Sequence, residues 1–138
     1  VLLIVIHVIF DFVLQTRDIA KNKSSKLSYL LPHLFILMIG LSIYTNLSGR
    51  YTENQGIGFV CGNILLHGII DWNIWKLYKY IVYRRLSKGK KLYLATKNGD
   101  NIVDYKYYED GMFYDFIAID QALHAFCYLG LDYLVRTL

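Results

Sequence analysis

The sequence predicts an all-α protein: a four-helix transmembrane bundle with a small polar hairpin or loop between its third and fourth helices. Three observations predict it. Four long apolar stretches are separated by polar ones, and 55% of the 138 residues are hydrophobic against 19% charged. Basic residues gather in two of the connections between those stretches. Each stretch also carries one of the four histidines, and three of those histidines have an aspartate four residues away. The composition excludes a disordered chain, which would be poor in apolar and aromatic residues. Two cysteines, Cys61 and Cys127, exclude a disulfide scaffold and read as small core residues.

The stretches run over about 1–16, 28–45, 57–83 and 113–135 within a single membrane domain. The last three approach or exceed the roughly 20 residues that cross a bilayer. The first is the shortest, in a sequence that begins without an initiator methionine. Pro32 reads as a first-turn proline of the second helix, where a missing N–H does least harm. Residues 46–58, rich in Gly and polar side chains, separate the second helix from the third. Gly56, Gly58, Gly62 and Gly68 read as positions of close helix packing. From 86 to 110 the pattern changes. Asn98-Gly99 lies between two β-prone runs, which is a hairpin signal. A mean hydropathy of +0.31 fits an apolar bundle diluted by such a polar segment.

Arg17, Lys21, Lys23 and Lys26 follow the first helix. Lys76, Lys79, Arg84, Arg85, Lys88, Lys90, Lys91, Lys97 and Lys106 lie at or beyond the end of the third. In a four-pass chain both groups fall on one face, which the positive-inside rule makes cytoplasmic. The protein is therefore expected in a bacterial inner membrane with both termini outside. Trp72, Trp75, Tyr78, Tyr80 and Tyr83 form an aromatic belt at the inner end of the third helix. The net charge of +4 alone would suit nucleic acid. Its confinement to loops points instead to the bilayer and its anionic headgroups. The oligomeric state is not legible.

His7 and Asp11, His67 and Asp71, and Asp120 and His124 are each four apart, so each pair shares a helix face. The first and third helices read His-x-x-x-Asp, and the fourth, running the other way, reads Asp-x-x-x-His. All three pairs then point the same way in space. Asp11, His33, Asp71 and Asp120 fall roughly 8 Å from the inner helix ends, and His7, His67 and His124 one turn deeper, roughly 14 Å. Gln15 and Gln121 extend the polar stripe. Buried ionisable residues are costly in a membrane and usually functional.

Imidazole and carboxylate together suit Zn, Mn or Fe, and bundle helices are a known way to hold such ligands. The expected metal ligands are His7, His33, His67, His124, Asp11, Asp71 and Asp120. Either two ions bind, or some aspartates orient histidines. Asp11, Asp71 and Asp120 are the candidate catalytic carboxylates for a metal-dependent hydrolase that opens to the cytoplasm and acts on a lipid-linked or phosphate-bearing substrate. A proton or metal-ion carrier would use the same residues. So would a structural or regulatory membrane protein held together by a polar network.

The run from His7 to Thr16, His-Val-Ile-Phe-Asp-Phe-Val-Leu-Gln-Thr, followed by Asn22-Lys23, resembles the opening of domain of unknown function 3307. Pro32-His33, the run His67-Gly68-Ile69-Ile70-Asp71-Trp72, and the run Asp120-Gln121-Ala122-Leu123-His124 are similar to that family too. The resemblance implies a small polytopic membrane protein of bacteria or phages, and no settled activity. It does not extend to 86–110. A looser similarity, carried by helix-borne His and Asp, is to membrane-bound metal-dependent hydrolases.

Overall fold

A computed structural model describes residues 2–85 and 110–137, and the described residues are helical with no strand. The expected hairpin at 86–110 lies almost wholly outside them. Helix α1 spans Leu2–Val8 and widens into a π-helical turn over Ile9–Val13, closed by Leu14 N–H donating to the Ile9 carbonyl at 3.0 Å. A short helix, α2, covers Arg17–Asn22. The long helices are α3, Leu27–Ser48, α4, Glu53–Arg85, and α5, Gly111–Thr137.

Local chemistry sets their ends. The Thr16 hydroxyl accepts from the Ile19 N–H at 3.3 Å, which caps α2. Gly49 closes α3 with φ of +60°, a left-handed conformation that glycine adopts without penalty. Thr52 and Gln55 cap α4 reciprocally: Gln55 Oε1 accepts from Thr52 N–H at 3.1 Å, and Thr52 Oγ1 from Gln55 N–H at 3.4 Å. The Asp110 carboxylate accepts from the Met112 N–H at 3.1 Å at the start of α5.

Three sequence readings are corrected here. Helix α3 begins at Leu27, so Pro32 lies inside it, beyond the first turn, and the Ser28 carbonyl has no N–H four residues on. Cys61 is exposed and Cys127 half-buried, because both project from outward faces of their helices. Tyr78 is buried against Phe116 in the interior and is no part of a surface belt. Trp72 does sit under the Lys76 ammonium, 3.5 Å from its ring.

Helix α4 packs between α3 and α5, while α1 and the π turn pack on α3. Two apolar clusters form. One joins Leu3, Ile6, Leu37, Leu41, Tyr44, Phe59, Val60 and Tyr128. The other joins Ile74, Tyr78, Val82 and Phe116. Along α4 and α5 the buried histidines and aspartates lie between them. The outer surface is apolar: Leu31, Phe35, Leu65, Ile69, Phe126 and Leu129 all face outward. Helices α3 and α4 are long and apolar enough to cross a membrane. Leu2–Val13 is apolar but shorter. Helix α5, which the sequence reading counts among the spans, is continuous, but Asp115, Asp120 and Asp132 break its apolar run.

The small-residue positions differ. Side chains at Gly62 and Gly68 would press on Leu131 and Leu34 at 3.1 Å, whereas one at Gly58 would meet nothing. The tightest is Gly40, where a methyl group would fall 2.6 Å from the Phe10 ring. Gly40→Val is therefore expected to destabilise the chain by about 1–3 kcal/mol through overpacking. Thermal unfolding of the purified protein checks this, with Gly58→Ala, inside α4 and meeting nothing, expected to raise the midpoint slightly because alanine is the better helix former.

Candidate metal centre

The stripes of α1, α4 and α5 converge, and α3 adds His33. All seven expected ligands are buried, and Asp71 and His33 have no exposed surface. In place of the two depth layers read from the sequence, the structure forms two donor groups that share Asp71. His33 Nε2 stands 3.1 Å from Asp11 Oδ1, 3.0 Å from Asp71 Oδ2 and 3.1 Å from His67 Nε2. His67 Nε2 stands 3.2 Å from Asp71 Oδ2 and 3.6 Å from Asp11 Oδ1. Asp11, His33, His67 and Asp71 thus turn four donor atoms toward a common point. Asp11 lies in the π turn, a widened geometry frequent at functional sites.

A second group shares Asp71. His124 Nε2 is 3.5 Å from Asp120 Oδ1 and 3.7 Å from Asp71 Oδ1. The His124 ring stacks on that of His67 with centroids 3.8 Å apart. Asp71, Asp120 and His124 could hold an ion of their own.

His7 stands apart from both groups. Its Nδ1 is 3.0 Å from the Tyr128 hydroxyl and its Nε2 is 3.2 Å from Gln121 Oε1, with Asp11 Oδ2 at 3.6 Å. Both ring nitrogens are engaged, so His7 is a bridge between α1 and α5 beside the donor groups. Gln121 also donates to Asp120 Oδ2 at 3.1 Å. Gln15 is half-buried, and its side-chain oxygen has no hydrogen-bond partner.

Two participants escape the sequence reading. Tyr128 continues the α5 stripe, 120–124–128, at the same four-residue step, and that spacing was the signal. Lys23, read as a loop charge, is only 5% exposed. Its ammonium lies 3.0 Å from Asp71 Oδ1, 3.5 Å from Asp11 Oδ1 and 3.4 Å from His33 Nε2. Its place beside Asn22 in the resemblance was the sole hint. Burial alone would lower the pKa of this ammonium; Asp71 and Asp11 outweigh that and hold it above the usual lysine value. Lys23 and the buried Ser24 close the end of the cluster nearest α2. On the flank, a cavity of about 1030 Å³ between α1 and α5 reaches His7, Gln121 and Tyr128. Its walls are mostly apolar, with Leu3, Val8, Phe12 and Leu129 among them.

Helices throughout the described residues, apolar outer faces and a buried His/Asp centre able to hold a metal ion define the class of this protein. The chain belongs to the family described as Protein of unknown function (DUF3307), whose model matches residues 1–135. No curated protein and no solved structure matches it.

Proposed function

We propose that this chain is a four-helix membrane protein whose centre binds a divalent metal ion and acts as a metal-dependent hydrolase. One observation carries the metal reading: the separations among Asp11 Oδ1, His33 Nε2, His67 Nε2 and Asp71 Oδ2. The five measured ones run from 3.0 to 3.6 Å. Ligands about 2.0 Å from a tetrahedral ion stand about 3.3 Å apart. Two imidazoles and two carboxylates suit Zn, Mn or Fe. Both Asp71 oxygens and Asp11 Oδ1 are buried and turned toward His33, His67 and the Lys23 ammonium, the neighbours that an ion would join or replace. Asp71, common to both groups, would bridge a second ion if one binds.

The membrane reading is supported by apolar outer faces around a core that also buries charged groups. Soluble bundles bury Leu and Phe and expose charge. Here the interior holds three aspartates, four histidines and Lys23 beside its two apolar clusters, and only a third of the apolar windows of α3 and α4 is buried. Under the positive-inside rule the end bearing Arg17, Lys21, Lys26, Arg84 and Arg85 is cytoplasmic, next to anionic headgroups of a bacterial inner membrane.

A bound ion would supply an acidified water at this centre. Asp120 is outside the four-donor set and stands within 3.5 Å of His124, so it suits the role of general base. Asp11 and Asp71 are then ligands first. The apolar flank cavity favours a lipid-linked or phosphate-bearing substrate arriving from within the bilayer. A second reading, an ion or proton carrier, is favoured by Lys23, which already sets a cation among the donors.

Elemental analysis of the detergent-purified chain tests the proposal. About one divalent ion per chain is expected, or two if the Asp120–His124 group fills. Asp120→Asn should keep the ion of the four-donor group and lose hydrolysis of lipid-linked phosphates. A chain that retains no ion after growth with Zn, Mn and Fe would overturn the reading.

A further inference from the structure

Among the described residues, Lys23 is the sole lysine or arginine buried in the interior. It stands where a metal ion would be crowded. Its ammonium is within 3.5 Å of Asp11 Oδ1 and His33 Nε2, two of the four converging donors, and contacts the second oxygen of Asp71 at 3.0 Å. An ion about 2 Å from those donors would almost touch the ammonium. Like charges at such range in a dry interior repel strongly. The opposite omission is equally costly. With neither lysine nor ion, Asp11 and Asp71 would be buried carboxylates without a fixed cation, and isolated buried charges are among the most expensive features a fold can carry. Asp11 and Asp71 therefore call for a nearby cation, and the Lys23 ammonium and a metal ion would stand close enough to compete for that place.

The mounting of Lys23 suits exchange. It follows the short helix α2, Arg17–Asn22, which packs on α3. Its four-carbon stem is flexible, and the neighbouring Lys21 and Lys26 are exposed, so an ammonium swung out of the cluster enters a solvated, charged end.

We propose that Lys23 is a built-in counter-cation: it occupies the donor cluster when no metal is bound, and a divalent ion displaces it. The inference rests on the metal reading above and adds that lysine and ion compete. No covalent bond changes; one positive charge leaves the cluster as two enter. Monovalent ions, carrying no more charge than the ammonium they would displace, gain no advantage, so Lys23 sets selectivity for divalent ions.

The test is titration of the full chain in detergent with Zn²⁺ alone, and separately with Mn²⁺. Lys23→Met keeps the length of the stem and removes the charge. It is expected to bind Zn²⁺ at least about tenfold more tightly than wild type, the scale on which a lost charged contact acts. In chelator it should melt below wild type, and Zn²⁺ should raise its midpoint by more. Lys23→Arg, which keeps the charge, should bind Zn²⁺ much as wild type does. If Lys23→Met is not recovered folded without metal, it is purified with Zn²⁺ throughout; recovery as a loaded, folded chain supports competition, and failure to recover it overturns competition. Equal or weaker Zn²⁺ binding by Lys23→Met also overturns competition but leaves the metal reading standing. Absence of ion binding by wild type and variant alike overturns both.

Discussion

Asp71→Asn is expected to abolish the metal binding proposed for this centre. Asp71 has no exposed surface and is the one carboxylate shared by both donor groups. Its Oδ2 stands 3.0 Å from His33 and 3.2 Å from His67, and its Oδ1 stands 3.0 Å from Lys23. Asparagine preserves size and one carbonyl oxygen but removes the charge. Loss of a residue that merely supports a ligand costs about ten- to a hundred-fold in metal affinity; loss of a shared ligand is expected to exceed that. The variant also leaves Lys23 with Asp11 as its remaining close carboxylate. Breaking a buried ion pair from one side costs about 3–5 kcal/mol. The thermal midpoint should therefore fall along with metal content. Asp18→Asn, on the exposed face of α2, should change neither. An Asp71→Asn chain that keeps its ion would show that these donors are not the ligands.

Leu65→Arg is the second large expected effect, and it separates a membrane protein from a water-soluble bundle. Leu65 lies near the middle of α4, faces outward and is 66% exposed. In water, arginine there would be neutral for stability and helpful to solubility. At the centre of a bilayer, arginine costs about 2.5–3.5 kcal/mol on insertion scales. The variant is expected to lose most of its membrane-integrated fraction in a carbonate-extraction assay, while Leu65→Phe keeps it. A Leu65→Arg chain that accumulates as a soluble, folded monomer would reverse the membrane assignment.

The donors were legible because helices make spacing geometric. His and Asp four apart must share a face, and the reversed order on α5 fixed the relative direction of the pairs. That logic covers His7, Asp11, His67, Asp71, Asp120 and His124, and it extends to Tyr128. It does not reach Lys23, because a residue after a short helix has no period to declare where it points. The same charge that serves as a topology signal serves here as an interior counter-ion. Nor did spacing distinguish His7, hydrogen-bonded to Tyr128 and Gln121, from His67, which faces the donors. That difference depends on how far apart α1 and α5 stand. The π turn at Ile9–Val13 was hidden for a related reason: one extra residue per turn leaves no mark in an apolar run. The outward cysteines were misread because small apolar residues suit a core and a lipid-facing surface equally.

X-ray absorption at the metal edge of the purified, metal-loaded chain reports the ligands themselves. About four nitrogen and oxygen donors near 2.0 Å are expected, with the outer-shell scattering that marks two imidazoles. His67→Ala should reduce the imidazole contribution by half. A sulfur shell near 2.3 Å, or a fully hydrated ion with no imidazole scattering, would contradict the proposed metal centre.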